Sequence, residues 1–261
     1  MLERPHTVPL NTCIIIPFYN HAGAIADVVD GLKPLELPCF IVDDGSGAEA
    51  RDVLAQIAGR ENWVKVHTLS ENRGKGAAVI AGCDLAQAAG FTHALQIDAD
   101  GQHDVADAAR LLDEAHRHPD AMASGVAVYD SSAPSARRYG RYLTHVWVWI
   151  NTLSFEIRDS MCGLRVYPLA ATCAIWKEAG IGQRMDFDPE IMVRLCWKGV
   201  RIISVPIRVT YPRDGVSHFK MWKDNVYISW MHTRLFFGML WRLPALLSRR
   251  VFHRGSRAAA R

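Results

Sequence analysis

The stretch that decides the fold reads Leu95-Gln96-Ile97-Asp98-Ala99-Asp100-Gly101-Gln102-His103. It begins as an apolar run typical of a buried strand and ends in two carboxylates one residue apart. Ligands of open α/β sheets bind beyond the carboxyl ends of the strands, so Asp98 and Asp100 would meet where a hard cation could be held. Such an ion takes one or two carboxylates and leaves its other positions to water and substrate phosphates. The stretch predicts a metal–diphosphate site; the competing interpretation is a surface turn.

Charge is distributed unevenly along the 261 residues, a length that suits one large α/β domain or two small ones. All 27 acidic residues lie at or before Asp224, and seven of the 30 basic residues follow it. The body, residues 1–224, therefore has a formal net charge of −4, and the tail, residues 225–261, has a formal net charge of +7. A basic tail on a mildly acidic body indicates a surface-binding element, and we expect no nucleic acid among the partners.

The cysteines and the N-terminal segment bear on the compartment. Six cysteines are scattered among apolar residues without metal-finger spacing, which favours buried reduced thiols. Residues 1–11 are polar and contain two prolines, so we expect no signal peptide. The sequence contains no run of 18 uninterrupted apolar residues, so we expect no membrane-spanning helix. We expect a cytoplasmic protein that docks peripherally at the inner face of the cytoplasmic membrane.

Apolar runs alternate with helical spacing through the first half of the chain. Continuous apolar runs predict buried strands directly before Asp98 and at residues 12–17, 39–42, 63–69 and 122–128. Helical spacing predicts helices at residues 24–32, 49–58, 77–89 and 104–118. Strands that alternate with helices favour a parallel, doubly wound sheet.

Polar clusters follow four of these strands. They are Pro17-Phe18-Tyr19-Asn20, Asp43-Asp44-Gly45-Ser46, Asn72-Arg73-Gly74-Lys75-Gly76 and Asp98-Ala99-Asp100. The carboxyl ends of parallel strands share one edge of a sheet, so we expect all four clusters to converge there.

The second half of the chain is more aromatic. Residues 137–155 combine aromatic residues with arginine, which favours a helix that faces a groove or a membrane, or a core helix. Short strands are predicted after the loop 159–165 and at 201–209. Between them, Pro189 indicates the first turn of a helix, with Asp188 as its N-cap.

The C-terminal segment is apolar and aromatic at residues 226–247 and basic beyond them. Pro244 is expected to end or kink the helix predicted there. Tryptophan with arginine on an apolar helix is typical of the membrane interface, where each basic residue contributes about 1 kcal/mol. The alternative is a helix packed on the body or on a second subunit. We therefore expect a body at residues 1–224 and a membrane-interface tail at residues 225–261.

These motifs, in this order, resemble the family 2 glycosyltransferases, and among them the polyprenyl-phosphate branch, which is dolichyl-phosphate mannose synthase-like. The match extends from about Cys13 to Lys220. The resemblance implies the GT-A fold, an α/β structure whose doubly wound mixed, mostly parallel sheet is flanked by helices, followed here by an amphipathic helical tail. It also implies inverting, metal-dependent sugar transfer. Because the Q-x-x-R-W signature of processive synthases is absent from the sequence, we expect the transfer of a single sugar.

The resemblance assigns the nucleotide of a UDP- or GDP-sugar donor to two strand ends. The residues implied are Pro17, Tyr19, Asn20, Asp43 and Asp44. Asp43 would contact the base, whose N–H donors suit a carboxylate in either nucleotide. Asp44 would lie near the ribose or the base.

The family's ligands for a divalent metal, Mg²⁺ or Mn²⁺, resemble Asp98, Asp100 and Gln102. In the family this metal bridges the donor diphosphate, so Asp98 belongs to the donor site as well. Lys75 or Arg213 would add positive charge where the departing diphosphate becomes more negative.

The family's D-x-x-x-G-x-R motif falls on Asp159, Gly163 and Arg165, and F-D-x-E falls on Phe187, Asp188 and Glu190. A hydroxyl acceptor would need a carboxylate to take its proton, with Asp188 the first candidate and Asp186 the second. A lipid phosphate is already an anion, and Asp188 would then position groups or cap its helix.

The last loop leaves the acceptor open. His218 stands where the branch usually has a phosphate-binding lysine, so a polyprenyl phosphate, a glycolipid and another lipid hydroxyl all remain candidates. His218 itself could contact the metal or the diphosphate, or could lie at the surface.

Two other functions compete. A nucleotidyltransferase would usually show a loop rich in glycine and basic residues after the first strand, where this chain has Pro17-Phe18-Tyr19-Asn20-His21. A nucleotide-binding protein without turnover is disfavoured because the pair Asp98 and Asp100 is intact and Asp188 is present.

Overall fold

A mixed sheet of seven strands organises the residues that the computed structural model describes, which are 10–128, 135–209 and 221–258. In chain order the strands are β1 (Thr12–Phe18), β2 (Cys39–Asp43), β3 (Val64–Thr68), β4 (His93–Gln96), β5 (Met122–Val128), β6 (Arg165–Pro168) and β7 (Ile202–Arg208). Their order across the sheet is β3-β2-β1-β4-β6-β5-β7. β6 runs antiparallel to both of its neighbours, and the other pairs are parallel. The predicted mixed, mostly parallel sheet is confirmed.

Eight α-helices are described around the sheet. They are α1 (Ala22–Leu32), α2 (Ala48–Arg60), α3 (Lys75–Ala88), α4 (Val105–Arg117), α5 (Ser135–Thr152), α6 (Leu169–Glu178), α7 (Phe187–Lys198) and α8 (Met221–Ala258). A short 3₁₀ turn, Lys33–Leu35, follows α1. The sequence analysis predicted every strand and all helices except α6, which follows β6 directly.

The sheet separates two hydrophobic cores, because successive side chains of a strand point to opposite faces. Along β1, Cys13 and Ile15 belong to the core covered by α3, α6, α7 and α8, and Ile14 and Ile16 belong to the core covered by α1, α2 and α4. All seven residues of β1 are buried, which confirms the buried strand predicted from the continuous apolar run. The six cysteines are free, and five of them are buried.

The antiparallel direction of β6 positions the functional site. Arg165 pairs with Gln96, so the chain enters β6 at the edge where it leaves β4. The loop before β6 therefore meets the carboxylates after β4. Gly163 in this loop lies so close to Asp98 that any Cβ at position 163 would collide with the carboxylate.

The predicted N-cap of α7 is wrong. The helix begins at Phe187, Asp186 occupies the N-cap position, and Asp188 lies inside the first turn. The first four N–H groups of a helix have no intrahelical partner, so Pro189 fits the third position as well as the first. The proline therefore did not mark the start of the helix.

Of the two outcomes expected at Pro244, an end of the helix is wrong, because α8 continues through the proline to Ala258, and a kink stays a prediction. Contacts with Trp197 hold the helix on both sides of the proline. The Arg242 guanidinium lies 4.7 Å from the centre of the Trp197 ring, and Arg249 donates to the Trp197 carbonyl at 2.6 Å. These contacts stabilise a helix that lacks one backbone hydrogen bond.

α8 packs on the body through one stripe, formed by Ile228, Met231, Leu235, Met239 and Leu246. This stripe contacts α5 and α7. The boundary expected between residues 224 and 225 falls inside α8, and the division into body and tail stays a prediction. No helix among the described residues combines the length and the apolar character needed to cross a membrane.

A buried histidine makes the contact between α8 and α5 sensitive to pH. His232 on α8 lies 3.2 Å from the Asn151 amide nitrogen and stacks on the Trp147 ring. Burial lowers the pKa of His232 from 6.5 to about 4. The unfolded chain therefore binds a proton near pH 6.5 that the folded chain binds only near pH 4, so stability falls as the pH drops through this window.

We expect the wild-type protein to lose about 2 kcal/mol of unfolding free energy through His232 between pH 7 and pH 5. His232→Gln should show a correspondingly smaller decrease when urea unfolding is measured at the two pH values. His67→Gln is the matched control, because His67 is exposed on β3, and it should retain the wild-type decrease. Equal pH slopes for wild type and His232→Gln would contradict the assignment.

Candidate functional site

The loops after the parallel strands β1, β2, β3 and β4 lie at one edge of the sheet, as predicted. The first two loops are joined by side chains. The backbone N–H of Asn20 donates to Ser46 Oγ at 3.0 Å, and the Gly47 N–H donates to Asn20 Oδ1 at 2.9 Å. Asn20 has a φ of 55°, a left-handed conformation that asparagine adopts more readily than most residues.

Asp43 ends β2 with a carboxylate that is fully buried. Its Oδ1 accepts from the backbone N–H of Ser46 at 2.9 Å. Its Oδ2 is buried and has no hydrogen-bond partner among the described residues. Buried carboxylate oxygens are nearly always hydrogen-bonded, so Asp43 Oδ2 is available to a donor from a bound molecule.

Asp44 shapes the loop between β3 and α3. Its two carboxylate oxygens accept from the backbone N–H groups of Arg73 at 2.8 Å and Gly74 at 2.7 Å. Burial raises the pKa of Asp44, although both hydrogen bonds oppose this. Gly74 has a φ of 109°, and a Cβ there would lie 2.6 Å from the Gln183 carbonyl oxygen, so the loop requires glycine. The loop ends at Lys75, whose position Asp44 therefore helps to set.

Lys75, the first residue of α3, joins two carboxylates from distant parts of the chain. Its ammonium nitrogen lies 2.9 Å from Asp98 Oδ1 and 2.9 Å from Asp188 Oδ2. Burial favours a lower pKa for Lys75, but attraction to Asp188 and Asp98 raises it above its ordinary value. The lysine is therefore a fixed positive charge at neutral pH.

Asp98 and Asp100 differ in their electrostatic surroundings. Burial opposes ionisation of Asp98, but the charges of Lys75 and His103 keep its pKa below the ordinary value. The pKa of Asp100 is raised, first by burial and then by the charge of Asp98. Asp100 Oδ1 accepts from the Gln102 backbone N–H at 3.1 Å. A cation beside these carboxylates would stabilise the second buried negative charge.

His103 is a site residue that the sequence analysis did not assign, although it ends the stretch quoted at the outset. Its Nδ1 is buried and has no hydrogen-bond partner among the described residues. Burial lowers the pKa of His103, and the charges of Asp98 and Asp100 partly offset this effect. Within the described residues, no group of three or more His, Cys, Asp or Glu side chains is arranged as a complete metal site.

Asp188 is held between two cations. It is 6% exposed and lies in the first turn of α7. Besides Lys75, it pairs with Arg165, whose Nη1 lies 3.0 Å from Asp188 Oδ1 and donates to the Asp188 carbonyl at 3.0 Å. Arg165 is fully buried and also donates to the Ser160 carbonyl at 2.8 Å. Both carboxylate oxygens of Asp188 are thus paired with positive charge.

Asp186, the second candidate base, occupies different surroundings. Its Oδ1 accepts from the Arg184 backbone N–H at 3.1 Å, and burial raises its pKa. It packs against Gly182, where a Cβ would collide with the carboxylate. Asp186 lines a cleft with Arg73, Arg184 and Tyr227, whereas Asp188 pairs with Lys75. The structure brings Lys75, Asp98 and Asp188 together and directs Asp186 to this cleft.

Two acids of the family motifs make structural contacts. Asp159 is buried and accepts from Arg141 and from the Met161 backbone N–H. Burial favours a higher pKa for Asp159, but His145, Arg141 and the Met161 N–H hold it well below the ordinary value. Glu190 is fully buried and accepts from the Gly182 N–H, from Arg194 and from Arg234 of α8. These carboxylates fix α5, α7 and α8 around the site.

Three of the remaining predicted site residues, Pro17, Tyr19 and Gln102, lie among the described residues. Pro17 is a buried residue of β1 that pairs with Val42, and Tyr19 lies half-buried in the next loop. Gln102 is half-buried beside Asp100. Arg213 and His218 lie outside the described residues. The roles assigned to all these residues stay predictions.

Gln96 and Tyr167 contact the site and were not predicted to do so. Both are fully buried polar residues, in strands whose four residues are all buried. A polar residue inside a buried strand is the informative exception to the usual pattern, and it is the signal that could have identified them.

Solved structures of other proteins share this fold. Glucosyl-3-phosphoglycerate synthase from Mycobacterium tuberculosis, in complex with Mn²⁺ and uridine-diphosphate-glucose, has a TM-score of 0.64 and 12% identity. The match covers 90% of this chain and 79% of that one. Mannosyl-3-phosphoglycerate synthase from Rubrobacter xylanophilus gives a TM-score of 0.62 at 15% identity, over 95% and 75% of the two chains. This similarity confirms the GT-A fold.

Curated relatives are similar over most of the chain. Polyprenol monophosphomannose synthase of Mycolicibacterium smegmatis is 27% identical over 86% of each chain. The human dolichyl-phosphate beta-glucosyltransferase is 27% identical over 82% of this chain and 74% of its own. Undecaprenyl-phosphate mannosyltransferase of Micrococcus luteus is 27% identical over 78% and 85% of the two chains. These relatives confirm the resemblance to the polyprenyl-phosphate branch.

The family described as Glycosyl transferase family 2 matches residues 13–179. The matched segment contains the four strand ends, Lys75, and the carboxylates Asp98 and Asp100. It supports a glycosyltransferase over the nucleotidyltransferase considered above. The chain is a glycosyltransferase and belongs to glycosyltransferase family 2.

Proposed function

We propose that this glycosyltransferase transfers a single sugar, with inversion, from a UDP- or GDP-sugar to a polyprenyl phosphate at the inner face of the cytoplasmic membrane. The observation that carries the proposal is the Lys75 ammonium between Asp98 and Asp188. This ammonium joins Asp98, which we assign to the donor diphosphate, to Asp188, which we assign to the reacting sugar. The names of the curated relatives support a lipid phosphate as the acceptor.

The nucleotide would bind over the ends of β1 and β2. Asp43 Oδ2 is the buried acceptor without a partner among the described residues, and an N–H of uracil or guanine would satisfy it. The oxygens of Asp44 already accept from the backbone of the next loop, so Asp44 would act mainly by shaping that loop near the ribose. Asn20 and Tyr19 would border the same site, with Pro17 beneath them.

The residues after β4 fit a hard divalent cation. They offer two carboxylates, and the side chain of Asp98 is 23% exposed and so can reach a ligand. Mg²⁺ and Mn²⁺ prefer such oxygen ligands and share the rest of their coordination with substrate phosphates. Asp98 and Asp100 would hold the ion, with Gln102 as a third ligand. When bound, the ion would neutralise charge on the donor diphosphate.

Lys75 would act on the departing diphosphate. Its raised pKa keeps it protonated at neutral pH, so it can donate to a phosphate oxygen as negative charge develops there. Arg213 would add a second positive charge.

Asp188 would position groups at the sugar and would not act as a strong base. Its two oxygens lie beside cations, Oδ2 at 2.9 Å from the Lys75 ammonium and Oδ1 at 3.0 Å from the Arg165 guanidinium, and these contacts hold the carboxylate in place. A phosphate acceptor is already an anion and attacks the anomeric carbon without giving up a proton. The surroundings of Asp188 therefore suit a lipid phosphate better than a lipid hydroxyl, for which Asp186 would be the second candidate base.

The C-terminal tail would bring the site to the lipid. Opposite its packed stripe, α8 exposes the aromatic side chains Trp222, Trp230, Phe237 and Trp241, and Trp241 is 86% exposed. Seven arginines and no acid follow Asp224. Exposed aromatic rings with basic residues suit the interface of an anionic membrane, where they would anchor the protein peripherally.

Asp100→Ala should abolish the metal-dependent part of nucleotide binding, because it removes one of the two carboxylates proposed for the cation. The measurement is calorimetric titration with UDP and with GDP, each with and without Mn²⁺. Asp113→Ala is the control, since Asp113 is exposed on α4. A metal titration of Asp100→Ala that matches wild type would refute the metal assignment.

The double substitution Trp230→Ser and Trp241→Ser should weaken co-sedimentation with anionic phospholipid vesicles by at least about tenfold, because both rings lose apolar contact with lipid. Both side chains are more than half exposed, so the fold should survive. Thr233→Ala, at an exposed polar position of the same helix, is the control. Undiminished vesicle binding by the double variant would eliminate the exposed face of α8 as the membrane contact.

A further inference from the structure

A chain of hydrogen bonds runs beneath the site through buried side chains. Arg165 Nη1 donates to the Tyr167 hydroxyl at 3.3 Å, and this hydroxyl donates to Gln96 Oε1 at 2.9 Å. Gln96 Nε2 then donates to Asp98 Oδ1 at 3.4 Å. Arg165, Tyr167 and Gln96 are all fully buried. The chain thus leads from the guanidinium that pairs with Asp188 to the carboxylate of Asp98.

The sheet places these side chains on one face. Gln96 of β4 is the register partner of Arg165 of β6, so the two side chains lie side by side. Tyr167 is two residues beyond Arg165, and residues two apart in a strand share a face. The antiparallel pairing of β4 with β6 is therefore what assembles the chain of hydrogen bonds.

The groups at the two ends of this chain, the Arg165 guanidinium and the Asp98 carboxylate, fix the direction of every hydrogen bond between them. A guanidinium has donors and no acceptor, and an ionised carboxylate has acceptors and no donor. Gln96 must turn its NH₂ group to Asp98, which leaves its oxygen for Tyr167. Burial raises the pKa of Tyr167, so its hydroxyl keeps the proton that it donates. A chain with one possible direction holds each member in one orientation.

We propose that Tyr167 and Gln96 are positioning residues that hold Asp98 in the orientation required to bind the divalent cation. Arg165 then positions both carboxylates of the site, Asp188 by direct pairing and Asp98 through Tyr167 and Gln96. Lys75 joins the same carboxylates at the more exposed side of the site, and its ammonium shares Asp98 Oδ1 with Gln96 Nε2. The inference rests on the proposed function, in which Asp98 is a metal ligand.

Tyr167→Phe isolates the contribution of one hydroxyl. The ring and its packing are kept, but Gln96 Oε1 loses its donor in a buried place and the amide is free to rotate. Its NH₂ group is then no longer directed at Asp98. Partners that orient metal ligands typically contribute about 10- to 100-fold to metal affinity, so we expect Mn²⁺ affinity in the nucleotide complex to fall by about tenfold or more.

The test compares full-length wild type, Tyr167→Phe, Gln96→Met and their double variant by calorimetry with Mn²⁺ and whichever of UDP or GDP the wild type binds. Thr172→Val is the control, because Thr172 is fully buried and its hydroxyl donates to the Pro168 carbonyl, outside the chain of hydrogen bonds. Binding of nucleotide without metal and the thermal midpoint are measured for every variant.

The inference predicts weakened Mn²⁺ binding in both single variants, with metal-free nucleotide binding and thermal midpoint close to those of Thr172→Val. The double variant should lose no more than the more affected single variant, because both act through one chain of contacts. If Tyr167→Phe does not fold, Gln96→Met carries the same expectation. Wild-type Mn²⁺ affinity in a folded Tyr167→Phe or Gln96→Met overturns this inference and leaves the proposed function standing. A wild type without metal-dependent nucleotide binding overturns both.

Discussion

The site depends on one ammonium group placed between two carboxylates. Asp98 and Asp188 lie far apart in the sequence and would repel each other across a partly buried space without Lys75. The side chain of Lys75 is 18% exposed, so its charge is only partly screened by solvent. Removing one partner of such a pair leaves an uncompensated charge, which explains why the surrounding structure is arranged to fix all three groups.

Close packing brings these groups together. A Cβ at Gly76 would lie 2.5 Å from Phe187 Cβ, so only glycine lets the start of α3 approach the start of α7. Lys75 and Asp188 are the immediate neighbours of these two residues. On the other side, Gly163 leaves room for the Asp98 carboxylate. Two glycines and the antiparallel entry of β6 thus set the distances on which the proposed chemistry rests.

Much of this arrangement could be predicted from sequence, because it follows from periodicity. The unbroken apolar run of β1 indicated a buried strand, and polar clusters after four strands indicated one functional edge. The start of α7 was misplaced because Pro189 fits more than one position of a first turn. The pairing of Lys75 with Asp188 and the connection through Tyr167 join residues distant in the sequence, and periodicity carries no information about such contacts.

The most direct test is the rate of sugar transfer from a UDP- or GDP-sugar to a polyprenyl phosphate by wild type and by Lys75→Met. The account predicts transfer by wild type and a rate at least about 100-fold lower for Lys75→Met, because the leaving diphosphate loses its fixed cation. Lys65→Met, at an exposed position of β3, should transfer at the wild-type rate. Transfer by a folded Lys75→Met at the wild-type rate would contradict the central role given to this lysine.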